Sequence, residues 1–459
     1  MSSKLDHPKQ ASEFLKDPKR SEWHDTALWG VRKRRDAAAG SVPEWETLRE
    51  TAQAIKSDVI TNIDTYLEAF EDAATAGGAT VHWASKPEEL NQTVNSILKE
   101  HKAENIVKSK SMLTEECGLN DFLHDQGYDV IDTDLGERLV QLRNEAPSHI
   151  VLPAVHLQLD EIADIFRESV EGEITDNTAP YLTEVARQDL RKRYSEADVG
   201  ISGVNFAVAE TGTVVVCSNE GNADLGTTMP KVHIACMGLE KLVPTFEDLG
   251  VFTRILARSA TGQAVTTYTS HFTGPREGGE LHIVIVDNGR STMMHDEHHV
   301  NSLACIRCGA CMNTCPVFRR SGGHSYNYTI PGPIGSILGA NHEPDAAHSL
   351  PYACSLCGSC TAVCPVKIDL HDQLLHARET MVEQGHEATS KRWGLAVFAY
   401  VAARPKLFGF ATKCASIAAR LTPTALQKIF IPGWMKYRAV PKLAPKNFKQ
   451  QMKDRNDER

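Results

Sequence analysis

Apolar residues recur at helical spacing between residues 44 and 76, at Ile55, Val59, Ile60, Ile63, Tyr66, Leu67 and Phe70, with few breakers among them. That period predicts helix. From about residue 79 short β-rich runs alternate with helical stretches. Strands are predicted at 79–84, 105–109, 128–132, 149–152, 204–209, 214–217, 233–237 and 282–286, with helical segments at 87–101, beyond 109 and across 158–194. Strands alternating with helices predict an α/β sheet covered by helices. The pattern divides the chain into an N-terminal arm with a helical segment (1–77), an α/β domain (78–290), a small cysteine-rich domain (291–370) and a helical C-terminal region (371–459).

The ends of the chain read differently. Residues 1–40, with Trp23, Trp29 and the run Arg32-Lys-Arg-Arg35, suggest an arm that lies on a surface or a partly ordered terminus. Near the other end, Trp393-Gly-Leu-Ala-Val-Phe-Ala-Tyr-Val-Ala-Ala403 stops at Arg404-Pro405. It is too short for the roughly 20 apolar residues that span a bilayer. It suits a membrane surface, a partner's groove or the protein's own body. Prolines at 405, 423, 432, 441 and 445 make the rest irregular.

Composition adds compartment and charge. The 459 residues, 41% hydrophobic and 24% charged, are those of a globular protein of two or three domains. The polar first 35 residues lack the apolar core of a secretory signal. The expected location is therefore cytoplasmic, where clustered cysteines point to metal or redox chemistry. Residues 391–459 hold 15 Lys+Arg against 3 Asp+Glu, a balance of +12, so the rest carries −22 of the total −10. A basic tail on an acidic body suits an acidic partner, peripheral contact with anionic lipid on the inner face of the membrane, or the body itself. Nucleic acid is disfavoured because no binding module accompanies the charge.

Eight of the 12 cysteines fall in one frame that occurs twice: Cys305-x-x-Cys308-x-x-Cys311-x-x-x-Cys315-Pro316 and Cys354-x-x-Cys357-x-x-Cys360-x-x-x-Cys364-Pro365. A cubane cluster presents four iron corners, each taking a thiolate. A loop with a cysteine every third residue wraps three of them. In paired motifs of this type the fourth cysteine serves the other cluster. The spacing predicts two [4Fe–4S] clusters, one on Cys305, Cys308, Cys311 and Cys364, the other on Cys354, Cys357, Cys360 and Cys315. Zinc sites more often use two separated pairs, so zinc fits less well. Gly309 and Gly358 let backbone approach the inorganic sulfides. The insert between the motifs holds Tyr326-Asn-Tyr-Thr-Ile-Pro-Gly-Pro-Ile-Gly335, which predicts an ordered loop rather than a helix. Of the scattered cysteines Cys117, Cys217, Cys236 and Cys414, Cys217 and Cys236 read as buried core. In Met293-Met-His-Asp-Glu-His-His299, two of His295, His298 and His299 could share a metal, although linker histidines are commoner.

Two polar segments of the α/β domain read as site-like. Lys108-Ser-Lys-Ser111 ends a predicted strand, with Thr114 placed to cap the next helix and Glu115 and Glu116 in its first turn. Glu210-Thr-Gly-Thr213 and Asn219-Glu-Gly-Asn222 form polar turns, which ordinary turn chemistry also explains. Lys108, Lys110, Glu210 and Asn219 are the candidate cleft residues. No Rossmann glycine fingerprint for a dinucleotide is present.

Lys108-Ser-Lys-Ser-Met112, Pro180-Tyr-Leu-Thr-Glu-Val-Ala-Arg187, Gly203-Val-Asn-Phe-Ala-Val-Ala-Glu-Thr-Gly-Thr213 and Asn219-Glu-Gly-Asn222 resemble the LUD domain. With the cysteine motifs behind them, the chain resembles the lactate utilisation protein B family from about residue 45 onward, and Pro432-Gly-Trp-Met435 resembles that family's C-terminal region. The resemblance implies a fold similar to sugar-phosphate isomerases and CoA transferases. It implies an iron–sulfur subunit of a complex oxidising L-lactate to pyruvate, with a cysteine-rich subunit and a smaller LUD-only subunit as partners and electrons passing toward the respiratory chain. Glu210 would be the counterpart of a CoA-transferase nucleophile, a role lactate oxidation does not need. The alternatives are a CoA-ester or sugar-phosphate binding enzyme with redox-regulatory clusters, and a non-catalytic scaffold of a redox complex.

Overall fold

The computed structural model describes residues 5–170, 172–386, 389–422, 444, 446 and 448–457. The chain divides into two units, Met1–Met381 and Val382–Arg459.

Ten strands organise the first unit among the described residues: β1 (Thr80–Ala84), β2 (Asn105–Lys108), β3 (Asp129–Asp132), β4 (Val199–Gly203), β5 (Phe206–Val208), β6 (Thr213–Ser218), β7 (Val232–Gly238), β8 (Leu242–Val243), β9 (Tyr268–Phe272) and β10 (Glu280–Val286). Six form an all-parallel sheet in the order β1-β10-β7-β4-β2-β3. The other four form a smaller mixed sheet, β8-β5-β6-β9. The central strands are mostly apolar because both faces are covered. Val199, Ile201, Ile234 and Val284 face Leu90, Val94 and Leu98 of the helix Pro87–Glu100. On the other face Ala235, Met237, Ile283 and Ile285 meet Val59, Leu67 and Phe70 of the helices Trp45–Thr61 and Ile63–Ala76.

Several expectations change. Residues 149–152 form no strand. The Nδ1 atom of His149 accepts the N–H groups of Val151 and Leu152, at 3.0 and 3.1 Å, so a side chain supplies what a ladder would. Of the run 204–209 only β5 (Phe206–Val208) is strand, and it lies in the second sheet. The stretch 158–194 is two helices, Leu159–Ser169 and Ala179–Glu196, the second opening with Pro180 in its first turn. The insert between the cysteine motifs contains a helix, Gly332–His342. Pro333 lies in its first turn, where the missing N–H costs nothing, and small residues let the helix seat against the chain at Ile330.

The charged N-terminal segment folds as helices His7–Phe14 and Pro18–Gly40, which pack into the cysteine-rich domain. Asp25 pairs with Arg319 at 2.6 Å, and the Arg319 guanidinium sits 4.4 Å from the Trp29 ring.

The second unit contains helices Thr389–Ala402, Pro405–Leu421 and Phe448–Asp457. None of their residues is buried, and Trp393, Phe398, Tyr400 and Phe410 are exposed. No helix among the described residues is long and apolar enough to cross a membrane. Pro432-Gly-Trp-Met435 and the prolines at 423, 441 and 445 lie outside the described residues.

Candidate functional site

The two cysteine loops share a backbone conformation. Arg307 and Leu356 both adopt left-handed angles (φ 58° and 55°), and Gly309 and Gly358 both have φ 72°. This turns the Arg307 N–H toward the Cys305 sulfur at 3.4 Å and the Leu356 N–H toward the Cys354 sulfur at 3.2 Å. The short helices Ala310–Thr314 and Ser359–Val363 then carry the chain away, so Cys315 and Cys364 leave their own loops. Cys364 joins Cys305, Cys308 and Cys311 in lining one pocket, whose other walls are apolar side chains and backbone. Cys315 lies within electrostatic reach of Cys354 and Cys357, and Cys360 within reach of Cys315. Burial pushes the thiols of Cys315 and Cys364 up to about 11 and that of Cys360 up to about 12. Such thiols ionise only when a cationic centre takes them as ligands. Four sulfurs in an otherwise apolar pocket fit a cubane cluster.

Arginines grip the chain around these sulfurs. Arg49 donates to the carbonyls of Cys364 and Ala362 at 2.8 and 3.1 Å, Arg35 to Val363 at 3.0 Å and Arg378 to Cys354 at 2.7 Å. They place positive charge beside thiolate-rich loops. Nothing in their local sequence marks them, because their partners lie far away along the chain. Cys308, Cys311, Cys315, Cys360 and Cys364 are buried, Cys305 and Cys354 half-buried, and Cys357 exposed.

A cavity of about 210 Å³ lies where β2, β4 and β7 end, and the first cysteine loop closes one side of it through Arg307 and Cys308. Of the four cleft candidates it brings in two. Lys110 and Asn219 line it; Lys108 and Glu210 do not. Lys108 is fully buried, 2.7 Å from Asp132 on the neighbouring strand and 3.0 Å from Glu115. Burial alone would pull its ammonium down, but Asp132 and Glu115 hold it above the usual lysine range. It is therefore a staple under the cleft floor. Glu210 is exposed and accepts the Phe246 N–H at 2.8 Å, at the start of the helix Phe246–Ala260. The helix after β2 is capped by Ser111, whose Oγ accepts the N–H of Thr114.

The cleft also collects residues that sequence reading missed. Arg290 bridges Glu240 at 2.6 Å and Glu116 at 2.9 Å. Burial works to raise Glu240, yet Arg290, Lys241 and Arg307 together hold its carboxyl down at about 2. Three cationic groups remain poorly matched. The carboxylate nearest Lys110 is Glu137, 3.9 Å away, and burial pushes that carboxyl up to about 8 against the pull of Lys110 and Lys108. Lys241 has no ion pair within 4 Å among the described residues, and burial lowers its ammonium. Arg307 reaches Glu116 only at 3.5 Å, and its Nη1 atom has no hydrogen-bond partner among the described residues. A cavity lined in this way favours a small anion. Arg307 carried a signal of a kind, since it sits between the first two cysteines; Lys241 and Arg290 carried none.

The connector histidines make no three-ligand group among the described residues. His298 stacks on His376 with ring centroids 3.6 Å apart, and His299 bonds Asp296 at 2.6 Å. Cys236 is buried and lines the cleft, whereas Cys217 is only half-buried.

Fold and site together define an iron–sulfur protein that joins an LUD domain to a 4Fe-4S dicluster domain. Family models match in that order: the LUD domain at residues 67–295, the 4Fe-4S dicluster domain at 301–368, and the C-terminal region of lactate utilisation protein B at 372–457. Lactate utilization protein B of Shouchella clausii is 40% identical, over 93% of this chain and 92% of its own. That of Bacillus velezensis is 40% identical over 94% and 92%. The Uncharacterized electron transport protein YkgF of Escherichia coli is 38% identical over 98% and 97%. A crystal structure of a DUF162 family protein from Deinococcus radiodurans, at 16% identity, covers 49% of this chain and 98% of its own with a TM-score of 0.28. The chain belongs to the lactate utilisation protein B family.

Proposed function

We propose that this chain is the electron-transfer subunit of a complex that oxidises L-lactate to pyruvate and delivers the electrons toward the respiratory chain. The observation that carries the reading is the shared wall: the cavity at the strand ends is closed by Arg307 and Cys308 of the first cysteine loop. In this reading Cys305, Cys308, Cys311 and Cys364 hold one cluster and Cys354, Cys357, Cys360 and Cys315 the other. When bound, the two clusters supply one-electron redox chemistry, matching in number the two electrons that lactate oxidation releases.

The chain's own residues bind and orient the acid. Lys110 and Arg307 take the carboxylate, and Lys241, whose ammonium burial lowers, lines the same wall. The cavity, at about 210 Å³, is below the roughly 300–1,000 Å³ of sites for larger ligands, which favours a small acid over a CoA ester or sugar phosphate. The exposed position of Glu210 outside the cavity supports no acyl-transfer role, whatever the likeness of LUD domains to CoA transferases. Exposure of Cys357 gives the second loop a face for a partner. The partners in this reading are the cysteine-rich and LUD-only subunits, with the exposed aromatic and basic C-terminal helices as a docking element for a subunit or an anionic membrane surface.

The test is anaerobic addition of L-lactate to the chain alone and with its partner subunits, read by cluster absorbance. Bleaching with partners, and its loss in Lys110→Gln, is expected. Absorbance that stays unchanged in every combination sinks the reading.

A further inference from the structure

A second group of ligating side chains lies at the far end of the parallel sheet from the cleft. Glu280 opens β10, His282 follows two residues later, and His101 caps the C-terminus of the helix Pro87–Glu100. The Nε2 atoms of His101 and His282 each stand 3.4 Å from the Oε2 atom of Glu280. Both nitrogens are buried and neither has a hydrogen-bond partner among the described residues. The three ligating atoms all lie within 4.8 Å of one another.

The other side of the His282 ring is occupied. Its Nδ1 atom is 3.0 Å from Nε2 of His82 on the neighbouring strand β1, with the two rings stacked. When Nδ1–H donates to His82, Nε2 of His282 keeps its lone pair free for a ligand. Metal-binding histidines are held by such a bond from the second ring nitrogen. The two histidine–carboxylate spacings also fit. Ligands about 2.0–2.1 Å from a tetrahedral zinc ion lie about 3.3–3.4 Å apart. The His282 side chain is 8% exposed and that of Glu280 57%, so the site has a fixed inner ligand and an outer one open to solvent.

A similar trio elsewhere lacks these features. Glu145, His156 and His324 also converge, but His324 Nε2 already bonds the Ala146 carbonyl at 2.7 Å, and Glu145 is taken by His156 and Arg143.

We propose that His101, His282 and Glu280 bind a divalent cation of the zinc type, with water completing its coordination, and that His82 positions His282 for it. The ion would clip the end of the helix Pro87–Glu100 to the first residues of β10. It is independent of the iron–sulfur clusters and of lactate oxidation.

The holoprotein, purified anaerobically, would be incubated with zinc chloride, passed over a chelating resin and assayed for zinc and iron by mass spectrometry. His101→Ala and Glu280→Ala remove the two more exposed ligands with little risk to the core, and His156→Ala is the control. Wild type and the control should retain about one zinc per chain more than the two variants, with equal iron in all four. Zinc should raise the melting temperature of wild type and not of His101→Ala or Glu280→Ala. Equal zinc retention in wild type and both variants, or none in wild type, overturns the proposal.

Discussion

Lys110 carries a charge that its nearest carboxylate does not cancel, because Glu137 is buried and keeps its proton up to about pH 8. Anion binding in the cleft should therefore be strongest below that pH. Above it, ionised Glu137 pairs with Lys110 and should weaken binding about tenfold, the size of one added charge under strong solvent screening. Glu137→Gln should flatten the alkaline limb, as a titration of lactate or pyruvate binding from pH 6.5 to 9 would show; an unchanged limb would place its cause elsewhere. The cysteines make a second residue-scale prediction. If the fourth ligands are exchanged between loops, Cys364→Ala and Cys315→Ala should each cost about half of the iron and damage the cluster built on the other loop. Iron analysis and electron paramagnetic resonance of the two variants would separate exchanged from local ligation. The cysteine frame was legible in the sequence because each set of four falls within eleven consecutive residues. The difference between Lys108 and Lys110 was not. They are two residues apart, yet Lys108 is opposite Asp132 in the strand register, and only the pairing of β2 with β3 reveals that.

At the scale of elements, the cysteine loops are held by helices from the other end of the chain. Arg35 of the helix Pro18–Gly40 and Arg49 of the helix Trp45–Thr61 donate to the carbonyls of Val363, Ala362 and Cys364. Charge-assisted bonds of this kind contribute about 1.5–3 kcal/mol each. Arg49→Ala should leave the fold intact and make the clusters bleach several-fold faster in air, followed by absorbance; a wild-type rate would show that the contact is passive. A tight seam also limits the sheet. A Cβ at Gly200 on β4 would lie 1.7 Å from the carbonyl oxygen of Gly226, in the helix Asn222–Thr228. Gly200→Ala should cost about 1–3 kcal/mol in denaturant unfolding, the usual price of overpacking. The apolar period of residues 44–76 revealed helices there, interrupted at Asn62. The role of 18–40 was hidden because its buried face, including His24, Leu28, Val31 and Arg35, is mixed in polarity.

Across the whole molecule, burial lowers several histidines among the described residues, four of them far below the ordinary value. Burial holds His7 and His156 down at about 4, and His149 and His233 at about 3, against 6.5 when exposed. The unfolded chain takes up these protons below pH 6.5 while the folded chain does not. Stability is thus complete above pH 6.5 and falls with acidity toward pH 4, by up to about 5 kcal/mol per pH unit for all four groups together. Denaturant melts between pH 7.5 and 5.5, followed by tryptophan fluorescence, should show that slope, reduced by about one proton in His233→Asn; a flat profile would mean the histidines titrate freely. Sequence alone determined the cluster chemistry, the α/β class and the family, because ligand spacing, strand–helix alternation and local motifs are properties of neighbours along the chain. Tertiary structure alone decided that the first cysteine loop walls the cleft, that Lys241, Arg290 and Arg307 meet there, and that His101 faces His282. Those contacts join residues far apart in the chain, and only the packing of the sheet against the cysteine loops brings them together.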